Sequence, residues 1–268
     1  MNRVGALLRL STVALMVSYE QRGRTAIITI RRPEARNAVN AEVAEAMEAA
    51  IDRLEGDPEV WVGIIAGEGT VFSAGADLKA VSAGQAAGLS TRKGGFAGLA
   101  RRERSKPLIA AVDGPALAGG CEIVLSCDLV VASTNARFGL PEVKRSLVAA
   151  GGGLFRLPRA IPPKVAMEVI LTGDPISAER ALSFGLVNEL VEAGGALDAA
   201  LALAERITVN APLAVRESRK VVLASAVEDD DELWKRSNQA MGAVATTEDF
   251  AEGPRAFIEK RPAEWKGR

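Results

Sequence analysis

Two glutamates stand where carboxylates could do acid–base work. Glu122 follows Gly119-Gly120-Cys121 and Glu142 follows Phe138-Gly139-Leu140-Pro141, in a chain of 268 residues without histidine. Histidine is the usual proton carrier near neutral pH, so such chemistry here falls to carboxylates, lysine, tyrosine, cysteine or water. A carboxylate serves near pH 7 only if burial or a second carboxylate raises its proton affinity. Two glutamates converging on one pocket would supply that second condition for each other. Taken singly, each is equally an ordinary helix-start residue, because acidic side chains suit the first turn.

Three segments of small residues surround these positions: Val71-Phe72-Ser73-Ala74-Gly75-Ala76-Asp77-Leu78-Lys79, Asp113-Gly114-Pro115-Ala116-Leu117-Ala118-Gly119-Gly120-Cys121-Glu122, and Phe138-Gly139-Leu140-Pro141-Glu142-Val143. Each follows an apolar run that reads as a buried strand, at Val60–Ala66, Leu108–Val112 and Leu129–Ala132; Thr25–Ile30 reads as a fourth. Open α/β sheets bind ligands at strand ends of this kind. Glycine and alanine allow tight turns that leave first-turn amides exposed, and two amides aimed at one carbonyl oxygen form an oxyanion hole. Ala41–Leu54 reads as a helix capped by Asn40, with Val43, Met47, Ile51 and Leu54 on one face and Glu42, Glu45, Glu48 and Asp52 on the other. Strands alternating with helices predict an α/β fold. Residues 82–100, rich in Gly, Ala and Ser, are expected to form a mobile loop or short helix beside a site. Helices are predicted at Pro163–Leu171, Ala178–Phe184 and Leu197–Asn210. The charged tail from about Ala211 reads as a helical appendage whose own core is small and which needs a partner, another subunit being the expected one.

Composition narrows the function. Hydrophobic residues at 48% and charged residues at 25% are those of a soluble globular protein. A formal net charge of −1 provides no general attraction to nucleic acid or anionic membrane, and 4% aromatics is too few for a base-stacking platform. Cys121 and Cys127, without histidine near them, argue against a metal site and for small buried thiols in a reduced, cytoplasmic protein. The first sixteen residues lack a continuous apolar core because Arg9 interrupts it, so they are expected to be a disordered extension with Met16 as the functional start.

Ordered landmarks along the chain resemble the enoyl-CoA hydratase (crotonase) family from about Ser18 to the C terminus. They are Arg32-Pro33-Glu34-Ala35-Arg36-Asn37-Ala38, Ile109 through Gly114 continuing to Gly119-Gly120-Cys121-Glu122 and Cys127-Asp128, Leu171-Thr172-Gly173, Gly185-Leu186-Val187, and Phe257-Ile258-Glu259-Lys260-Arg261. The resemblance implies a crotonase-like spiral of ββα units over residues 17–210 and a helical trimerisation region over 211–268. It implies an acyl-CoA thioester as substrate, no separate cofactor, and a homotrimer or dimer of trimers. The catalytic pair would be Glu122 and Glu142, and the oxyanion-hole amides those of Ala76 and Gly119. Ala74, Asp77 and Leu78 would contact CoA, joined by Phe257 and Lys260 from a neighbouring subunit.

The implied activity is syn hydration of a 2-trans-enoyl-CoA. The implied alternatives are Δ3-Δ2 isomerisation using mainly Glu142, and a non-catalytic scaffold binding acyl-CoA or RNA. Retention of Glu122 favours hydration, and the acidic face of the 41–54 helix disfavours RNA. The chain departs from many hydratases at Leu140, where they carry Gln, and over Val148–Arg156, which puts substrate choice in play. Asp128 is expected to be a structural, hydrogen-bonded carboxylate. Arg32, Arg36 and Lys79 are expected as solvated charges, and Trp234 and Trp265 as packing residues of the tail. The pathway, whether fatty-acid, amino-acid or sterol breakdown, stays open.

Overall fold

The computed structural model describes residues 16–268, so the reading of the first sixteen residues as a disordered extension lies outside the described part except at Met16, whose carbonyl accepts from Arg31 N at 2.8 Å. Six strands build the main sheet: β1 (Val17–Arg22), β2 (Thr25–Ile30), β3 (Val62–Gly67), β6 (Leu108–Val112), β8 (Leu129–Ser133) and β11 (Glu189–Val191), in the order β1-β2-β3-β6-β8-β11. The β1–β2 pair is antiparallel and every later pair is parallel. The runs expected as buried strands became β2, β3, β6 and β8. Parallel strands are covered on both faces, so their sequences are almost continuously apolar. β1 was not foreseen, because its residues VSYEQR are half polar and lie on an exposed sheet edge.

Helix α1 (Ala41–Gly56) covers one face of the sheet. Asn40 Oδ1 accepts from Val43 N at 3.0 Å as its cap, and Val43, Met47, Ile51 and Leu54 are buried with Ile28, Ile30, Ile65 and Leu108. A later helix, Ala196–Thr208, lays Ala196, Ala200 and Ala204 on the other face, against Val62, Ile64, Ile109 and Val131. Those alanines let the helix approach closely.

The acidic face of α1 is free only in part, with Glu42 and Glu45 exposed. Glu48 accepts from Gly94 N at 2.8 Å, Asp52 pairs with Lys93 at 2.6 Å, and Glu55 accepts from Ser105 N at 2.8 Å and Lys106 N at 3.0 Å. The Lys93 and Gly94 contacts hold the later part of residues 82–100, expected as a mobile loop or short helix, against α1, while residues 82–87 are exposed. Helix α2 (Leu78–Ser82) leads to a turn at Ala86–Leu89 and a hairpin of β4 (Ser90–Thr91) and β5 (Gly95–Phe96), with Leu89, Ala97, Leu99 and Ala100 buried. Lys106, only 1% exposed, donates from Nζ to Leu54 O at 2.6 Å and Asp57 O at 2.5 Å. It thereby caps the C-terminal carbonyls of α1, where a cation is favoured. Lys106→Met, which keeps the stem and removes the ammonium, is expected to cost about 2–4 kcal/mol in a urea melt, because both carbonyls lose a charged donor.

A second, three-stranded sheet brings the two glutamate segments together. In it β10 (Ile176–Ser177) pairs with β9 (Arg137–Gly139), and β9 pairs in parallel with β7 (Ala116–Leu117), Leu117 opposite Gly139. Helix α3 (Gly119–Val124) starts directly after β7, and a 3-10 turn at Pro141–Arg145 starts directly after β9. Helices α4 (Gly153–Ala160), α5 (Pro163–Thr172) and α6 (Ala178–Ser183) follow, α7 being the Ala196–Thr208 helix already described.

The tail consists of α8 (Pro212–Ala224), α9 (Asp230–Ala245) and α10 (Glu248–Glu259). Asp128 ties it to the core: its Oδ2 accepts from Arg104 at 2.6 Å and Leu108 N at 2.8 Å, and Arg219 Nε lies 2.9 Å from Oδ1. That is the structural role expected of it. Trp265 packs over Gly253 and donates its indole N–H to Val209 O at 2.7 Å. Trp234 does not pack as expected: it is 70% exposed within the single chain, on a helix with no buried residue.

Candidate active site

The first small-residue segment runs beside Val39. Val39 N donates to Gly75 O at 2.7 Å and Asp77 N donates to Val39 O at 2.9 Å. This bridge grips the peptides on either side of Ala76 and, among the described residues, leaves the Ala76 amide without an acceptor. Gly75 has φ +86, and a Cβ there would lie 2.4 Å from Gly119 N. Only glycine therefore allows the two chains this close. Ala118, just before Gly119, is held at φ 52, ψ −128, a conformation that L-residues adopt only under strain. Its N–H donates to Gly139 O at 2.9 Å, which fixes the twist at the start of α3. Gly119 N, at the first position of that helix, has no intrahelical partner and no other acceptor among the described residues. Ala76 N and Gly119 N are thus paired, unspent donors.

Glu122 lies in the first turn of α3 and is 3% exposed. Its Oε1 accepts from Gly153 N at 2.9 Å, and Gly151 packs so tightly that a Cβ there would meet Oε2 at 2.5 Å. Burial pushes its pKa up, while the Gly153 and Gly151 amides and Arg156 oppose that rise by favouring the carboxylate. Glu142 is half-buried in the turn after β9, and its buried Oε2 has no hydrogen-bond partner among the described residues. Burial first, and the Glu122 charge after it, push the Glu142 carboxyl up to about 7 against its own backbone amide. The pair therefore divides as acid–base pairs do. Glu142, pushed up in part by the Glu122 charge, keeps its proton to near neutrality.

Both carboxyls open into one cleft of about 970 Å³. Its walls include Ala74, Ala76, Asp77, Leu78, Gly119, Glu122 and Glu142, so most of the residues expected at the site share it. Phe257 and Lys260 do not: they lie on α10 and its C-cap, outside this cleft, and Phe257 is 85% exposed. Asp77 sits in the cleft wall, but its carboxylate is occupied. It accepts from Arg32 at 2.7 Å and from Lys79 N at 3.0 Å as the N-cap of α2, and burial notwithstanding, these partners hold its pKa down. Arg32 is accordingly a paired, half-buried residue, not the solvated charge expected.

Several contributors have roles that the sequence alone does not assign to them. The Gly153 amide and Gly151 hold Glu122 from 31 and 29 residues away in sequence. Leu140, in place of the amide side chain, packs against Gly153 and so supports that amide indirectly. Phe96 lies against Gly119, where a Cβ would be 2.3 Å from its ring. The run Gly151-Gly152-Gly153 was the one available signal, since a backbone must approach something closely there.

Comparison with known proteins shows the family and the fold. The sequence profile described as enoyl-CoA hydratase/isomerase matches residues 20–268. The enoyl-CoA hydratase EchA19 of Mycobacterium tuberculosis is 41% identical over 255 residues, spanning 93% of this chain and 96% of that protein. A carnitinyl-CoA dehydratase of Salmonella agona is 41% identical over 247 residues, spanning 90% of this chain and 94% of that protein. A solved enoyl-CoA hydratase of Mycobacterium tuberculosis superposes with a TM-score of 0.91 at 48% identity, over 95% of this chain and all of that one.

Proposed function

Since the chain belongs to the enoyl-CoA hydratase/isomerase family, we propose that it is a hydratase adding water syn across the 2,3-double bond of a 2-trans-enoyl-CoA. The observation that carries this reading is the unlike pair in one cleft: Glu122 tied by a backbone amide, Glu142 with an unpartnered buried Oε2 and proton-retaining, beside two unspent amides. The thioester oxygen accepts from Ala76 N and Gly119 N, which favours the enolate-like state over the ground-state carbonyl. A water between the carboxyls gives one proton to Glu122 as its oxygen bonds to Cβ. The displaced electron pair moves toward the thioester, and Glu142 delivers a proton to Cα. Both groups act from one side of the double bond, hence syn addition. The carboxyls then exchange protons with solvent to reset. Dehydration, the direction named for the carnitinyl-CoA relative, is the same path reversed.

CoA is placed along the Ala74–Leu78 wall. Exposed Phe257 and Lys260 reach a neighbouring subunit's CoA in a homotrimer or dimer of trimers, whose particle mass sedimentation equilibrium measures. Isomerisation of 3-enoyl-CoA needs one acid–base group, so a fully built Glu122 site favours hydration. Purified protein assayed with 2-trans-enoyl-CoA and 3-enoyl-CoA should hydrate the former. Isomerisation of the latter with no hydration would reverse the assignment.

A further inference from the structure

Arg156 lies in α4, three residues beyond the amide that holds Glu122. Its Nη1 donates to Ser126 Oγ at 3.2 Å and to Gly151 O at 3.3 Å, and its Nη2 donates to Ala100 O at 2.6 Å. Ser126 Oγ in turn donates to the main-chain oxygen of Glu122 at 2.7 Å. One guanidinium therefore joins the end of the hairpin segment, the end of α3, and the glycine loop that contacts the Glu122 carboxylate. A rigid, planar fork suits such divergent acceptors better than an ammonium. Burying a cation is costly, yet three acceptors outnumber the two N–H donors of a side-chain amide, so the guanidinium fork is the group that reaches all of them. Burial disfavours the Arg156 charge, and the Glu122 carboxylate opposes that by favouring the cation.

We infer that Arg156 is a positioning residue for the hydration: its hydrogen bonds clamp the Gly151–Gly153 loop and the end of α3 around the Glu122 carboxylate. This rests on the hydratase reading given above. The groups facing the pair are few. Glu142 faces Glu122 from the 141–145 turn, and the Cys121 thiol lies beside both on α3. Arg104, Arg159 and Cys127 face Arg156, and Arg104 is already paired with Asp128. Among the described residues Arg156 is thus the cation that acts on Glu122.

Arg156→Gln and Arg156→Lys in the full-length protein separate charge from clamp. Hydration of 2-trans-enoyl-CoA is followed from about pH 5 to about pH 9, the range that contains the carboxyl titrations. In parallel, 13C NMR of glutamate labelled at Cδ follows the Glu122 carboxyl, assigned by its loss in Glu122→Gln. In Arg156→Gln the acid limb of kcat/KM and the Glu122 titration should both rise by about one pH unit, the low end of the effect of an adjacent opposite charge. In Arg156→Lys both should stay near wild type while kcat falls about tenfold with KM little changed, the pattern of lost transition-state positioning. An unmoved limb and titration in Arg156→Gln, with only a lowered melting temperature, would reduce Arg156 to a structural tie. Wild-type kcat in Arg156→Lys would remove the clamp. If the wild-type protein hydrates no enoyl-CoA, the function assignment fails, while the NMR titration still decides the role of Arg156.

Discussion

Glu142→Gln is expected to slow hydration about 10²- to 10⁴-fold, the range that one positioned acid–base group contributes, with KM changing only a few-fold. Glutamine keeps the shape of the side chain but cannot give a proton to Cα, so binding survives and the chemical step does not. The pH dependence carries the same signature. With the Glu142 carboxyl pushed up to about 7, hydration by the wild-type protein should decline above neutral pH as the acid loses its proton. Stability moves with it. The folded state holds a proton that the unfolded chain releases between 4.5 and about 7, so stability falls as pH rises through that window and is flat on either side. Glu142→Gln lacks that loss, and its melting temperature relative to wild type should climb across the same interval. Glu122→Gln should show a comparable rate loss through the missing base. Retention of near-wild-type turnover in either variant would take that glutamate out of the mechanism.

Gly75→Ala is expected to lower kcat by about 10²- to 10³-fold, the loss seen when one oxyanion donor is removed. Its Cβ would lie 2.4 Å from Gly119 N, a main-chain atom that cannot rotate aside, so the Gly119 amide has to leave its place beside Ala76. A destabilisation of about 1–2 kcal/mol accompanies it, from a side chain held at positive φ. Gly194→Ala provides the comparison. That residue has φ +87 with nothing within 4 Å of a Cβ, so it takes the backbone cost alone. A drop in melting temperature for Gly75→Ala at least as large as that for Gly194→Ala, with a rate loss confined to Gly75→Ala, would place the defect at the amides. Turnover that survives Gly75→Ala would show that the thioester is polarised elsewhere.

The strands β2, β3, β6 and β8 and the buried face of α1 were legible because side-chain period and burial are local properties of a segment. The small residues at strand ends were legible for a related reason: close main-chain approach demands residues without bulk wherever it occurs. β1 was hidden because an edge strand need bury little, so its polar residues carry no alternation strong enough to read. Helical spacing shows which acidic residues of α1 share a side and nothing about what meets them. In the fold that side meets Gly94, Lys93 and Ser105. Trp234 read as packing because its size and hydrophobicity favour burial, yet its surroundings within one chain leave it open.

By itself, then, the sequence determined which groups can act: two carboxylates in a chain without histidine, each set among residues small enough to expose amides. The tertiary structure decided what each group does. The parallel pairing of Leu117 with Gly139 brings α3 alongside the 141–145 turn, and Gly153 reaches back across 31 positions to bind one glutamate and leave the other unbound. Proton affinity depends on desolvation and on charges within a few ångströms. Those distances are set by chain segments far apart in sequence, and they exist only once the sheets have formed.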